Sequence, residues 1–149
     1  MRTNFDRENI QENIPGIILL SHGALALGMM DTAGIVLGNT YNLAAFSLDP
    51  EDNPETFRST FLAAAESFPA GVVIFVDMFG GSPCNQLLIG ASDLKVSYCA
   101  FAGMNLPLLS EALSMRELYT GEALQMAIAE IIPHAIMDLG DLIQNLKEE

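Results

Sequence analysis

The chain contains two histidines, His22 and His134, and they keep different company. His22 stands in Ser21-His22-Gly23, directly after the apolar run Gly16-Ile17-Ile18-Leu19-Leu20. An imidazole between a buried strand and a glycine that opens a helix is placed to act as a nucleophile or proton carrier. It could equally cap the helix or fill space. Asp77 ends a second apolar run, Gly71-Val72-Val73-Ile74-Phe75-Val76. A carboxylate there is costly to bury unless something pairs with it. Paired with His22, it would fix the ring tautomer and leave the other nitrogen free to attack. The alternative is an aspartate that merely caps a helix or ties a loop.

Gly80-Gly81-Ser82-Pro83 follows at once. Two glycines, a hydroxyl and a proline in the first turn of a helix make an anion nest, although a Gly-Gly-Ser run alone is often a simple turn. Gly23 allows a close backbone approach, and the helix starting at Ala24 aims free N–H groups and its positive end at the same place. Taken together, these residues offer a histidine, a carboxylate and two helix N-termini at one sheet edge. That combination suits the placing of a phosphoryl group on a histidine.

Competing chemistry is thin. No Walker loop or dinucleotide fingerprint occurs. One strand-end histidine and one carboxylate are too few for a good zinc site, so no metal and no cofactor are expected. Ser82 with His22 and Asp77 could imitate a hydrolase triad, but the chain lacks a G-x-S-x-G elbow. Cys84 reads as packing or as a helix-start thiol of lowered pKa. His134 follows Pro133 without an evident partner, Glu111, Glu117 and Glu122 read as a solvated helix face, and the methionines read as core filler.

These residues need a scaffold that brings strand ends together. Residues 16–21 read as a buried strand, and 23–37 as a helix stopped by Gly38-Asn39. A weaker strand spans 42–48. Asn53-Pro54-Glu55 is a cap, a first-turn proline and a first-turn acid, opening a helix to about Phe68. Residues 71–77 read as a strand covered on both faces. A helix from Pro83 to about Ala91, a strand over 96–102 and a helix from Pro107 to about Tyr119 follow. Thr120-Gly121-Glu122 begins a long last helix that Pro133 should kink or interrupt. The expected fold is α/β: one domain over residues 14–149, with a mostly parallel sheet and helices on both faces. The first 13 residues are polar and read as a frayed extension.

A chain of 149 residues, half of them hydrophobic, can bury roughly 68–70% of its unfolded surface. Nineteen acidic against six basic residues give a net charge of −13, which disfavours nucleic acid and anionic membrane surfaces. It permits a basic protein partner, though such acidity often serves only solubility. No apolar stretch is long enough to span a membrane and no signal core opens the chain. With two scattered cysteines, Cys84 and Cys99, this points to the cytoplasm.

Three segments resemble the IIA component of mannose-family sugar phosphotransferase systems. Ile17 to Gly23 is similar to that family's first strand and phosphorylated histidine. Val76-Asp77-Met78-Phe79-Gly80-Gly81-Ser82-Pro83-Cys84-Asn85 resembles its D-x-x-G-G-S-P-x-N loop, and Ala102-Gly103-Met104-Asn105-Leu106-Pro107 its A-G-x-N-x-P turn. Pro50, Asn53, Glu55 and Thr56 sit as in the loop and second helix. The likeness covers about Ile17 to Leu113. It implies that His22 accepts phosphate from the histidine-containing phosphocarrier protein, with Asp77 holding the ring and Ser82 touching the phosphoryl group. Asn105 would belong to a neighbouring loop at the docking face. The phosphate would pass to a separate IIB component, and so indirectly to a membrane permease. A homodimer is implied as well. The N-terminal extension and the last helix depart from the pattern, which bears on the dimer contacts. Met78 and Phe79 are expected to meet the carrier, while Met29 and Met30 could be docking or core residues. Two other readings share the fold: a phosphocarrier subunit feeding a dihydroxyacetone kinase, and a regulatory protein without transfer.

Overall fold

The two apolar runs become the two central strands of one sheet. The computed structural model describes residues 1–38 and 40–149. In chain order the elements are β1 (Arg2–Phe5), β2 (Gly16–His22), α1 (Leu25–Leu37), β3 (Leu43–Leu48), α2 (Pro54–Ala65), β4 (Val72–Val76) and α3 (Ser82–Gly90). Then come β5 (Tyr98–Ala102), α4 (Leu106–Met115), α5 (Gly121–Ile131) and α6 (Gly140–Glu148). The strand order is β1-β3-β2-β4-β5, parallel throughout except at β1. The α/β architecture read from the alternating pattern is therefore present.

Both faces of the sheet are covered, which explains the uninterrupted apolar runs of β2 and β4. On one face α2 and α3 bury Phe57, Phe61 and Ala64 against Ile18, Phe46 and Ile74. On the other, α1, α4 and α5 set Leu109, Leu113, Leu124 and Ile128 against Leu19, Ala45 and Phe75. Each fully buried Leu, Ile or Phe among them contributes about 1.5–3 kcal/mol. Helix starts follow their caps. Asn53 Oδ1 accepts from Glu55 N and Thr56 N at 2.8 and 3.1 Å, with Pro54 in the first turn. Gly38 ends α1 with a φ of 82°; Asn39, expected to share in that stop, lies outside the described residues.

Pro133 interrupts the last helix as expected: α5 is followed by a 3-10 turn at Ile132–His134, because the proline ring cannot continue the helical bonds, and α6 starts afresh at Gly140. Some elements are shorter than expected: α2 ends at Ala65, short of Phe68, α4 ends at Met115, short of Tyr119, and β5 starts only at Tyr98. The larger difference is the N-terminal segment, which is not frayed. β1 lies antiparallel on the outer edge of β3, with Arg2 opposite Ser47 and Phe5 opposite Ala44. Phe5 packs on Phe68, ring centroids 5.4 Å apart, and Ile10 joins the same core. Asn42, at a positive φ of 51°, ties down the rest of the segment. Its side chain accepts from Gln11 N and donates to the carbonyls of Gln11 and Ile14, each at 2.8 Å. An open sheet edge supplies the backbone partners that a polar four-residue strand needs, and no sequence period reveals that.

At the far end of the sheet from His22, Arg116 is buried to 3% exposure. Its guanidinium donates to the carbonyls of Pro15, Asn42 and Tyr41 at 3.3, 2.8 and 2.5 Å, joining the starts of β2 and β3. It also lies over the Tyr41 ring, 5.0 Å from the centroid. Burial pulls its pKa down to about 10, so it is still charged at neutral pH. Arg116→Ala removes the shared donor to these carbonyls, of which Asn42 O keeps Ile17 N at 2.9 Å, and the cost expected is about 2–3 kcal/mol. Thermal unfolding should fall by roughly 5–10 °C for a chain this size. A shift under two degrees would show the clamp to be dispensable.

Candidate functional site

Register places the site. Leu20 of β2 pairs with Val76 of β4, and Asp77 N donates to Leu20 O at 3.0 Å. That leaves His22 and Asp77 side by side, just beyond the carboxyl ends of neighbouring strands. β2 leads into α1 on one face of the sheet and β4 into α3 on the other. The two residues therefore occupy the crevice where connections diverge, the favoured ligand position in open α/β sheets.

The histidine is pinned by the carboxylate. Nδ1 of His22 is 2.7 Å from Asp77 Oδ2, which also accepts from His22 N at 2.8 Å. Asp77 Oδ1 accepts from Met78 N at 2.9 Å. The Asp77 side chain is only 7% exposed, whereas that of His22 is 47% exposed. The carboxylate is thus sequestered while the ring meets solvent. An ionised carboxylate only accepts, so Nδ1 carries the proton and Nε2 keeps a free lone pair.

Both helix starts leave backbone amides open among the described residues. Gly23, at a φ of 54°, turns the chain into α1. Ser21 is fully buried; its hydroxyl accepts from Ala26 N at 2.7 Å and donates to Gly23 O at 3.3 Å. Gly23 N is spent on Leu48 O at 3.2 Å, so its amide is not free for an anion. The amides of Ala24 and Leu25 at the start of α1, and of Ser82 and Cys84 at the start of α3, have no acceptor among the described residues. Gly80, at a φ of 84°, and Gly81 bring that second start against the ring. A Cβ on Gly81 would lie 2.5 Å from His22 Cε1 and 3.2 Å from Nε2. Asn85 Nδ2 supports the loop by donating to Gly80 O at 3.4 Å.

A cleft of about 420 Å³ opens beside the imidazole, lined by His22, Gly23, Ser82 and the turn after β3: Leu48, Asp49, Pro50, Asp52 and Pro54. Asp49 and Asp52 were missed in the sequence reading. The signal was available, because the end of a strand next to β2 must lie beside the end of β2. A cavity of about 350 Å³ at the opposite end of the sheet, around Pro15, Gly71 and Tyr98, holds none of the expected site residues.

The remaining candidates sort by burial. Met78 and Phe79 are 56% and 79% exposed on the loop after β4. Met29 and Met30 are half-buried against the α1-side core, which favours packing over docking. Asn105 is not in the cleft; its Oδ1 caps α4 by accepting from Leu108 N at 2.9 Å. Cys84 is buried in the core and Cys99, half-buried, has its thiol pushed up to about 11 by burial. His134 is exposed in the turn before α6. Among the described residues no three His, Cys, Asp or Glu side chains converge as a metal site.

The model of the mannose-type EIIA family, described as PTS system fructose IIA component, matches residues 16–131. The chain belongs to this family. It is 31% identical over 104 residues to the fructose-specific EIIA component of Bacillus subtilis, covering 68% of this chain and 70% of that protein. It is 33% identical over 103 residues to the mannose-specific EIIAB component of Escherichia coli, again over 68% of this chain but only 32% of the longer protein. The fold is similar to that of the EIIA component from Streptococcus agalactiae, with a TM-score of 0.78 at 18% identity, covering 86% of this chain and 99% of that one. A mannose/sorbose-specific IIA subunit from Enterococcus faecalis gives 0.72 at 23% identity, over 84% and 94% of the two chains. As a IIA component, the chain takes its part in a sugar phosphotransferase system.

The approach of Gly81 to the ring supplies a test of the tautomer. In the wild type, ¹⁵N NMR of His22 should report a proton held on Nδ1. Gly81→Ala must displace the ring, so a mixed-tautomer spectrum is expected with little change in melting temperature. An unchanged imidazole spectrum would show that the glycine does not confine it.

Proposed function

We propose that this IIA component is a cytoplasmic phosphocarrier. Nε2 of His22 takes a phosphoryl group from the histidine-containing phosphocarrier protein and yields it to a IIB component during sugar uptake. The observation that carries this reading is the 2.7 Å contact between His22 Nδ1 and Asp77 Oδ2, with the His22 side chain 47% exposed. In the transfer, the donor's N–P bond breaks as the bond from Nε2 to phosphorus forms. The donor ring, protonated on its other nitrogen, departs as neutral imidazole. His22 becomes a phosphoimidazolium that keeps its Nδ1 proton, and Asp77 balances the positive charge. The unpaired amides at the two helix starts and the free Ser82 hydroxyl meet the charge spread over the phosphoryl oxygens. No cofactor is needed on this chain. Two free cysteines fit a reducing compartment. A homodimer is part of the proposal, supported by exposed Ile136, Met137, Leu142, Ile143 and Leu146 near the chain end; static light scattering reads its mass.

Labelling with the phosphorylated phosphocarrier tests the core of this reading. His22→Ala should abolish incorporation and His134→Ala should leave it intact. Asp77→Asn should keep the fold but slow transfer by roughly 100- to 10,000-fold, the range for groups that orient and charge-balance a reacting base. Rates within twofold of wild type would make Asp77 structural. Onward passage of the label to a IIB component, rather than to a dihydroxyacetone kinase, separates the two carrier readings.

Phe79, two residues after Asp77 and 79% exposed, is the candidate anchor for the partner. Truncating a central apolar anchor typically costs above about 1–2 kcal/mol, a loss of roughly 5- to 30-fold in affinity. Phe79→Ala should therefore weaken phosphocarrier binding without lowering the melting temperature. The charge of −13 should make association slow as salt rises. Unchanged affinity together with no salt dependence in an NMR titration would place the docking face elsewhere.

A further inference from the structure

The N-terminal strand brings a cation to an aspartate that lines the His22 cleft. Leu48 ends β3 directly opposite His22 in the parallel register, and Asp49 and Asp52 just beyond it line the cleft. Arg2 of β1 grips Asp49 as a fork, Nη2 to Oδ1 at 2.9 Å and Nε to Oδ2 at 3.2 Å. Asp52 accepts from Asp49 N at 2.7 Å and from the amino group of Met1 at 2.5 Å. The family match begins only at residue 16, so the strand carrying Arg2 lies outside it.

A phosphoryl group carries a charge of about −1.5 to −2 at neutral pH. Seated on Nε2, it shares the cleft with two carboxylates. In a cleft of about 420 Å³ such groups stand within roughly one Debye length, ~8 Å at physiological salt, and are not screened from one another. Unpaired, Asp49 opposes the phosphorylated state. Resting on the phosphocarrier reading above, we propose that Arg2 is a positioning residue that neutralises Asp49 and so sets how readily His22 holds phosphate. The pair is partly exposed, at 49% and 27%, and exposed pairs contribute little to folding. Its effect therefore falls on the phosphorylation equilibrium and not on the melting temperature.

The test is the equilibrium constant for phosphoryl exchange between the phosphocarrier and the full chain, from the phosphorylated fraction of each at several mixing ratios. An equilibrium measurement is indifferent to how fast the partners dock. Arg2→Gln leaves an uncompensated negative charge and should lower the constant about two- to fivefold. Asp49→Asn leaves an uncompensated positive charge and should raise it. The double variant restores neutrality and should return to the wild-type value. A purely structural pair would instead make Asp49→Asn as damaging as Arg2→Gln, with no recovery in the double variant; that pattern overturns the proposal. So does an Arg2→Gln constant equal to wild type when the wild type is labelled at His22. Failure of the wild type to be labelled at all overturns the carrier reading, and this proposal with it.

Discussion

One hydrogen bond organises this molecule: the imidazole of His22 held through Nδ1 by the nearly buried carboxylate of Asp77. A buried carboxylate is tolerated only when its lone pairs are met. Here three contacts meet them: the ring, the amide of the same histidine and the amide of Met78. The two contacts with His22 depend on the stagger of β2 against β4. A slip of one residue would turn His22 to the opposite face and leave the carboxylate only the amide of its own neighbour, Met78. The register is in turn held by the two buried faces, where Ile18 and Ile74 meet α2, and Leu19 and Phe75 meet α1 and α4. The apolar core thus serves the site by denying the strands any other alignment.

Much of this was legible in the residues, and the reasons are local. Asn53-Pro54-Glu55 announces a helix because its cap, fixed φ and first-turn acid act within four residues. The runs ending at His22 and Asp77 announce covered strands because both faces must be apolar. A candidate pair could then be read, because parallel strands set their carboxyl ends side by side. What stayed hidden depended on distant partners. Nothing in Arg2-Thr3-Asn4-Phe5 marks a strand; the edge of β3 makes it one. Arg116 looks like an ordinary charge on a helix until three carbonyls from the starts of two strands close around it. Asp49 and Asp52 follow the weaker third strand, whose end was not read as a site although its neighbour's was.

The distribution of charge bears on how such a site works. The chain has six Lys and Arg in all. Arg116 is buried at the opposite end of the sheet, Arg58 is bonded to Gln86 at 2.7 Å, and Arg2 is engaged with Asp49. Among the described residues no lysine or arginine lines the cleft at His22. On the proposed function, the phosphoryl group would be met by amide dipoles and a hydroxyl instead of by a guanidinium fork. Bidentate charge-assisted pairs are roughly twice as strong as neutral hydrogen bonds, and they favour the bound state whatever the reaction requires. A carrier has to release what it accepts. Neutral donors at helix starts stabilise the charge moving between two imidazoles without trapping the phosphate on either. A modest bias from a paired cation at the cleft margin can then adjust the balance, because no stronger charge inside the cleft overrides it.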